Sequence, residues 1–305
     1  VAGYHGRSNP DDIGPATGAL LSSWKPPVRS TGPSSTEFGT AQDTAIAPNI
    51  YIRWSQFSTF CGLFLNGGHG DRRLWKRTQP EVEIIRKFSW LHTELVPYIY
   101  SQVVICHQGG PPLMRPLRDG DFHYMFGDDF LVAPIHKDSL TRTVSLPPGQ
   151  WRYFFDDREV IQGPTQITRQ FALDEFPVFV REGAIVPLKI SRPYTGLGDK
   201  DSAEFTTWLI YPNRKNQFTL SHPDAHPKLE QTKVEVELNP ELKVRFSGRR
   251  EPHILRIATG KKPSTIRLDG TDLPEGIAWN WDEQRRLLII KTRNYAEGNY
   301  VISLR

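Results

Sequence analysis

The spacing of apolar residues changes period near Leu113, and that change limits the chain to a helical first third followed by β-structure. Before it, Val82, Ile85, Phe88, Leu91, His92 and Leu95 recur at helical spacing behind Thr78-Gln79-Pro80-Glu81, a capping-box pattern with Pro80 tolerable in the first turn. Pro97 is expected to kink this helix; the pattern resumes to about Cys106, and Gly109-Gly110-Pro111-Pro112 stops it. An earlier helix is predicted over Asn49 to Leu65. Asn49 caps it, Ile52, Trp54, Phe57, Phe60, Cys61, Leu63 and Phe64 cover much of its circumference, and Asn66-Gly67-Gly68 ends it.

After Leu113 the runs are short and β-like: Thr143 to Leu146, Trp151 to Phe155, Gln166 to Leu173 and Val178 to Val180, with Pro147-Pro148-Gly149-Gln150 and Asp156-Asp157 read as turns. A linker over 191–201 leads to a second series: Thr206 to Tyr211, Gln217 to Leu220, Lys233 to Leu238, Leu242 to Phe246, Ile254 to Ala258, Thr265 to Leu268, Leu287 to Thr292 and Tyr300 to Leu304. Lys233-Val234-Glu235-Val236-Glu237-Leu238 alternates as a half-buried antiparallel strand does. About eight strands at this spacing read as a sandwich. Local reasoning thus gives a helical N-terminal third and two β-rich domains.

Residues 1 to about 48 are rich in Gly, Pro, Ser and Thr, and Lys25 to Thr36 has no apolar period. A structureless loop this long is uncommon within a compact domain and is expected to be either a substrate-facing insertion or a partly disordered segment. The 305 residues suffice for two or three domains, and 38% hydrophobic with 24% charged residues describes a soluble globular protein. Lys and Arg number 38 against 34 Asp and Glu, scattered without a basic run, which argues against nucleic-acid binding. No apolar run reaches the ~20 residues of a membrane span, so no membrane partner is expected. Cys61 and Cys106 sit in apolar, helix-like surroundings and read as buried free thiols rather than a disulfide framework. No signal peptide is visible, but the chain opens on Val rather than Met, as a processed or truncated chain does, and the compartment is left open.

Five blocks carry a resemblance. They are Tyr51-Ile52-Arg53-Trp54-Ser55-Gln56-Phe57; Gly67-Gly68-His69-Gly70; Met114-Arg115-Pro116-Leu117; Tyr124 to Pro134 (YMFGDDFLVAP); and Pro177 to Leu188 (PVFVREGAIVPL). Their order and spacing resemble the C-terminal half of glycoside hydrolase family 31, the α-glucosidase and α-xylosidase family. The match is strong over about 49 to 190 and weak over 205 to 305. The resemblance implies α/β plus all-β architecture: the C-terminal end of a (β/α)8 barrel followed by two antiparallel β-sandwich domains. It places barrel in 1–112, with the Pro/Ser-rich loop, a proximal sandwich in 113–192 and a distal one in 193–305.

It also implies a retaining glycosidase for terminal α-linked glucose or xylose, needing no metal or organic cofactor. Two carboxyl groups about 5–5.5 Å apart then act as nucleophile and acid/base. The family's nucleophile sits in a Gly-x-Asp-Met-Asn-Glu-like strand end and its acid follows a Trp/Gly-Asp motif. Neither is matched here, so no residue of this chain is assigned a catalytic role. The family's sugar-binding Asp-Ile-Gly-Gly is resembled by Asp12-Ile13-Gly14-Pro15, and its Arg-x-His by Gly67-Gly68-His69, which keeps the His and lacks the Arg. Asp12 and His69 are therefore subsite candidates, since a carboxylate and an imidazole can bond neighbouring hydroxyls of a pyranose. Trp75 is a third candidate.

Plainer roles compete. Asn9-Pro10-Asp11-Asp12 also makes an ordinary turn, and Trp75 can equally pack. Arg53 and Trp54 read as barrel-packing and buried ion-pair residues, and Met114 and Met125 as core. Asp128-Asp129 reads as a structural turn pair rather than an acid/base couple. His222, Asp224 and His226 are weak metal ligands, with Pro223 and Pro227 interposed and no fourth ligand. The expected partner is an α-linked carbohydrate. Self-association, or association with an N-terminal part, is left open. The competing function is a non-catalytic carbohydrate-binding or structural β-sandwich protein of the same descent.

Overall fold

The computed structural model describes residues 47–64, 73–117, 122–137 and 139–304, so Asp12, His69 and the Lys25–Thr36 loop lie outside the described residues. The described chain forms two units. One gathers the segments up to 93 with 110–148 and 164–179; the other gathers 94–109, 149–163 and 180–305.

In the first unit, helix α1 (Pro48–Thr59) begins one residue before the expected cap. Ala47 takes the cap position because Pro48, with φ preset for a helix and no N–H to satisfy, occupies the first turn. Asn49 is inside the helix, its Oδ1 accepting from the N–H of Ile50 at 2.9 Å. The helix stops at Thr59, short of Leu65, as the N–H of Phe60 turns back to the carbonyls of Phe57 and Ser58. Helix α2 (Gln79–Glu94) starts where the capping pattern predicts. The Thr78 hydroxyl donates to Glu81 at 2.9 Å, and Arg77 reaches the same carboxylate at 3.2 Å.

Strands β1 (Met114–Pro116), β2 (Tyr124–Phe126), β3 (Phe130–Val132), β4 (Thr141–Tyr153), β5 (Asp156–Gln170) and β6 (Val178–Arg181) make one sheet in the order β1-β2-β3-β6-β4-β5. Residues of α1, α2 and this sheet share a core. Phe60 lies 5.8 Å from Phe126, 6.2 Å from Phe130 and 6.1 Å from Phe176, and Phe88 adds an edge contact to Phe176 at 6.4 Å. The buried hydroxyl of Tyr124 finds its acceptor in the Phe60 carbonyl at 2.9 Å.

Two turns differ from expectation. Pro147-Pro148-Gly149-Gln150 runs straight through as part of β4, because a proline φ is compatible with extended backbone and Gly149, at φ +128°, absorbs the local deviation. The hairpin reverses instead at Phe154-Phe155, which leaves Asp156-Asp157 as the first residues of β5 rather than the turn.

The second unit opens with helix α3 (Val96–His107). Pro97 was expected to kink a single helix; here α2 and α3 are parted by Leu95 alone, whose backbone stays in the right-handed helical region. Leu95 caps α3 and Pro97 falls in its first turn, where its missing N–H costs nothing. Beyond it lie β7 (Ile185–Leu188), β8 (Thr206–Ile210), β9 (Lys215–Ser221), β10 (Gln231–Leu238), β11 (Leu242–Gly248), β12 (His253–Ala258), β13 (Thr265–Leu268), β14 (Thr271–Asp272), β15 (Trp279–Asp282), β16 (Leu287–Thr292) and β17 (Asn299–Ser303). They form two sheets, β14-β13-β17-β11-β10-β9 and β15-β16-β12-β8-β7. The sheets meet through Trp208, 5.7 Å from Phe246 and 6.5 Å from Phe218, and through His253, stacked on Phe246 at 4.3 Å. That is a sandwich whose neighbouring strands all run antiparallel except β8 and β12, which run parallel. The other face of β9–β11 carries opposite charges across strands, Glu235 facing Arg245 and Glu237 facing both Lys243 and Lys215.

The Val178-to-Leu188 block turns on Gly183. Its φ is +95°, and a Cβ there would stand 2.6 Å from Asn216 Oδ1, so no other residue fits without displacing that amide. Among the described residues no helix is long and apolar enough to cross a membrane.

Candidate functional site

His69 lies outside the described residues, between the described stretches 47–64 and 73–117. On the incoming side, Cys61 closes the turn after α1, its N–H on the Ser58 carbonyl at 3.3 Å. Burial pushes its thiol up to about 12, which makes it a packing group rather than a nucleophile. Phe64 lies 5.7 Å from the ring of His92, and Nδ1 of His92 bonds the carbonyl of Thr59 at 2.9 Å. Burial holds that imidazole below its ordinary range, against the pull of the Thr59 bond.

On the outgoing side, Leu74–Lys76 makes one 3₁₀ turn. Leu74 packs on Tyr51, Ile52 and Ile85, and the Arg77 guanidinium lies over the Tyr51 ring at 4.7 Å. With both neighbours anchored, Trp75 points outward and is 79% exposed. The packing role that competed for Trp75 is overturned. Leu74 and Arg77 take the contacts with α1 and α2 at this turn and leave the indole outside. An exposed indole offers a flat apolar face. Asp12 and His69 lie outside the described residues, so the geometry places Trp75 alone of the three, six residues along the chain from His69.

The other polar constellations have structural uses. Arg115 donates to Asp128 at 2.7 Å and to the carbonyls of Gly127 and Pro112, which clamps the β2–β3 turn and makes Asp128 a turn residue. Asp129 is buried. Asp224 is held by Arg249 at 2.7 and 3.0 Å, which keeps its carboxyl below the usual range. Among the described residues no group of three His, Cys, Asp or Glu side chains could hold a metal ion. His222 has Nε2 2.8 Å from the Thr232 hydroxyl and Nδ1 3.9 Å from Glu251, an arrangement superficially like a relay. Thr232 is 2% exposed and gives its proton to the Arg249 carbonyl at 2.6 Å, so it cannot attack a substrate.

Sequence reasoning missed the clamp made by Arg53 and Gln56. The Arg53 guanidinium donates to the carbonyls of Phe171 (2.7 Å) and Glu175 (2.6 Å) and to Gln56 (2.9 Å), and Gln56 donates to the Leu173 carbonyl at 2.6 Å. The available signal was spacing: Arg53 and Gln56 are three apart on one helix and so lie on the same face of it.

Comparison with known proteins fits this frame. Residues 35–102 match the model of the glycosyl hydrolases family 31 TIM-barrel domain, and residues 111–186 that of the glycosyl hydrolase family 31 C-terminal domain. The chain is 30% identical over 203 residues to an alpha-xylosidase of Saccharolobus solfataricus, covering 62% of this chain and 27% of that protein. It is 27% identical over 218 residues to the human neutral alpha-glucosidase AB, covering 66% and 23%. Among solved structures, the cycloalternan-forming enzyme from Listeria monocytogenes in complex with a pentasaccharide substrate superposes with TM-score 0.75 at 19% identity, over 88% of this chain and 29% of that one. A family 31 dextranase of Flavobacterium johnsoniae complexed with glucose gives TM-score 0.72 at 23% identity, over 85% and 37%. Two stretches of the chain, 35–102 and 111–186, thus match consecutive domains of glycosyl hydrolase family 31. The chain folds as the end of a (β/α)8 barrel leading into β-sandwich domains, and it spans about a quarter of the length of these two curated relatives.

Proposed function

We propose that this chain is part of a retaining α-glycosidase that acts on terminal α-linked glucose or xylose, and that it supplies one edge of the sugar pocket together with its β-rich scaffold. The observation that carries this reading is Trp75, presented to solvent beside the packed Leu74 and six residues along the chain from His69. The α-xylosidase and α-glucosidase relatives support the substrate class. In this reading the carboxylate of Asp12 and the imidazole of His69 bond the sugar hydroxyls, and Trp75 stacks on a pyranose C–H face. Residues 1–112 serve as barrel, 113–192 as the proximal sandwich and 193–305 as the distal one. No residue of this chain is assigned as nucleophile or acid/base, and no metal or organic cofactor is invoked.

The chemistry requires two carboxyls about 5–5.5 Å apart across the scissile bond. The 305-residue chain alone is therefore expected to leave an aryl α-glucoside intact; robust turnover by it would overturn the assignment. Titration with glucose and xylose, followed by tryptophan fluorescence, tests the pocket. Binding should weaken in His69→Ala and in Trp75→Ala, and the same affinity in both variants would remove the site. Because the indole is exposed, Trp75→Ala should change stability by no more than about 0.5 kcal/mol, which separates lost binding from lost folding. The non-catalytic alternative is decided by the coding sequence upstream of Val1. Barrel strands with a nucleophile motif there favour the enzyme, and a start codon close to Val1 favours the binding protein.

A further inference from the structure

The last residue of α2 is a fully buried acid. Glu94 is 0% exposed; its Oε2 accepts the Thr195 hydroxyl at 2.7 Å, and its Oε1 meets no donor. Its backbone carbonyl accepts the N–H of Lys189 at 2.9 Å. Thr195 ends the 3₁₀ turn Pro193–Thr195 and takes the N–H of Leu197 at 3.4 Å. Gly196 follows in the left-handed region, its carbonyl accepting from Arg285 at 3.1 Å. Glu94 thus holds the 189–197 segment at two points.

A carboxylate with one donor is poorly solvated by its surroundings. It has about four lone-pair directions to satisfy and a full charge to compensate. The charged and titratable side chains on the adjoining segments are Tyr98, Tyr100, Cys106 and His107 on α3, Lys189, Arg192 and Tyr194 on the held segment, and His92 two residues back on α2. Among the described residues Thr195 is its one side-chain partner. The end of a helix also disfavours negative charge.

We propose that Glu94 and Thr195 form a protonation-controlled latch: the neutral carboxyl keeps the 189–197 segment docked, and loss of its proton loosens that segment. Burial raises the Glu94 carboxyl to about 7, with the Thr195 bond pulling the other way. The released segment exposes the acid to water and returns it to its ordinary value of 4.5. A group raised in the docked state contributes fully below the ordinary value and loses that contribution as pH rises towards 7. Above that point the carboxylate forms in place and nothing further is lost.

Hydrogen exchange of the full chain between pH 5 and 8, read on peptides covering 189–197 and divided by intrinsic rates, tests this. Protection should fall about tenfold per pH unit between 5 and 7 and level off above. Glu94→Gln should abolish the slope, while Thr195→Val should lower protection throughout and keep it. A flat wild-type profile, or an unchanged slope in Glu94→Gln, would overturn the latch. Should Glu94→Gln not fold, the carboxyl carbon shift of Glu94 in the wild-type chain decides: a midpoint near 7 supports the proposal and one below 5 ends it. The outcome is independent of sugar binding.

Discussion

Arg53→Met should lower the unfolding free energy by about 3–5 kcal/mol in denaturant titrations, the cost of leaving buried partners of a charged group unpaired. The side chain is 9% exposed and lies in α1, and its two terminal nitrogens grip carbonyls of Phe171 and Glu175 more than a hundred residues away. The 171–175 segment needs this grip. It makes a turn, with the N–H of Glu175 on the Ala172 carbonyl, and so turns carbonyls inward that no sheet ladder satisfies. Methionine fills much of the volume but donates nothing. Arg53→Lys should recover part of the loss, since an ammonium reaches one carbonyl well but lacks the planar fork that spans two. Gln56→Leu should cost less, about 1–3 kcal/mol, because it strands fewer acceptors. The two sites share the Glu175 carbonyl, so their effects should not add. A loss below about 1 kcal/mol for Arg53→Met would show that the segment is held by packing alone.

The legible and illegible parts of the sequence divide along physical lines. Helix α2 and most strands of the distal sandwich follow from apolar spacing because each buries one face, which is what periodicity records, whereas α1 is legible from apolar residues round much of its circumference. The strand through Pro147-Pro148-Gly149-Gln150 was misread as a turn since residue preference there is overridden by pairing along a long hairpin. The reversal at Phe154-Phe155 carries no turn chemistry at all. β1, β2 and β3 are three residues each, too short to show alternation. The parallel pairing of β8 with β12 is a matter of topology, which local pattern does not encode. At the candidate site the same split holds. Trp75 could be named from sequence, but its exposure depends on Leu74 and Arg77 taking the inward positions. Glu94 was missed although it stands three residues after Leu91, on the buried face of α2, where an acid has to be explained.

A pH effect as large as that of Glu94, and of opposite sign, is expected at His253. Its ring is stacked on Phe246, Nδ1 lies 3.1 Å from the Glu251 carbonyl and Nε2 lies 2.6 Å from the Tyr300 hydroxyl, which in turn is 2.8 Å from the Thr292 hydroxyl. Burial favours the neutral imidazole here: Nδ1 donates to the Glu251 carbonyl, while the Tyr300 hydroxyl donates to Thr292 and faces Nε2 with its oxygen. A second proton would put a charge between two sheets with no carboxylate bonded to the ring. Burial accordingly pushes the imidazole down to about 4, the Glu251 carbonyl bond pulling only weakly upward. The unfolded chain titrates at 6.5.

The folded value is depressed, so its contribution is intact above 6.5 and is lost as pH falls through the window down to 4. The loss is about 1.4 kcal/mol per unit and about 3 kcal/mol in all. Glu94 acts in the opposite sense over 4.5 to 7, because its folded value is raised. The two slopes should largely cancel in the wild-type chain, and single variants should separate them. Relative to wild type, His253→Phe should gain stability as pH falls from 6.5 to 4.5, and Glu94→Gln should lose it. Each trend should be about 1.4 kcal/mol per pH unit in urea titrations at fixed ionic strength. Groups common to all three chains drop out of the differences. Parallel pH curves for His253→Phe and wild type would mean that the imidazole already carries its proton in the fold, with a neighbour rearranged to meet it.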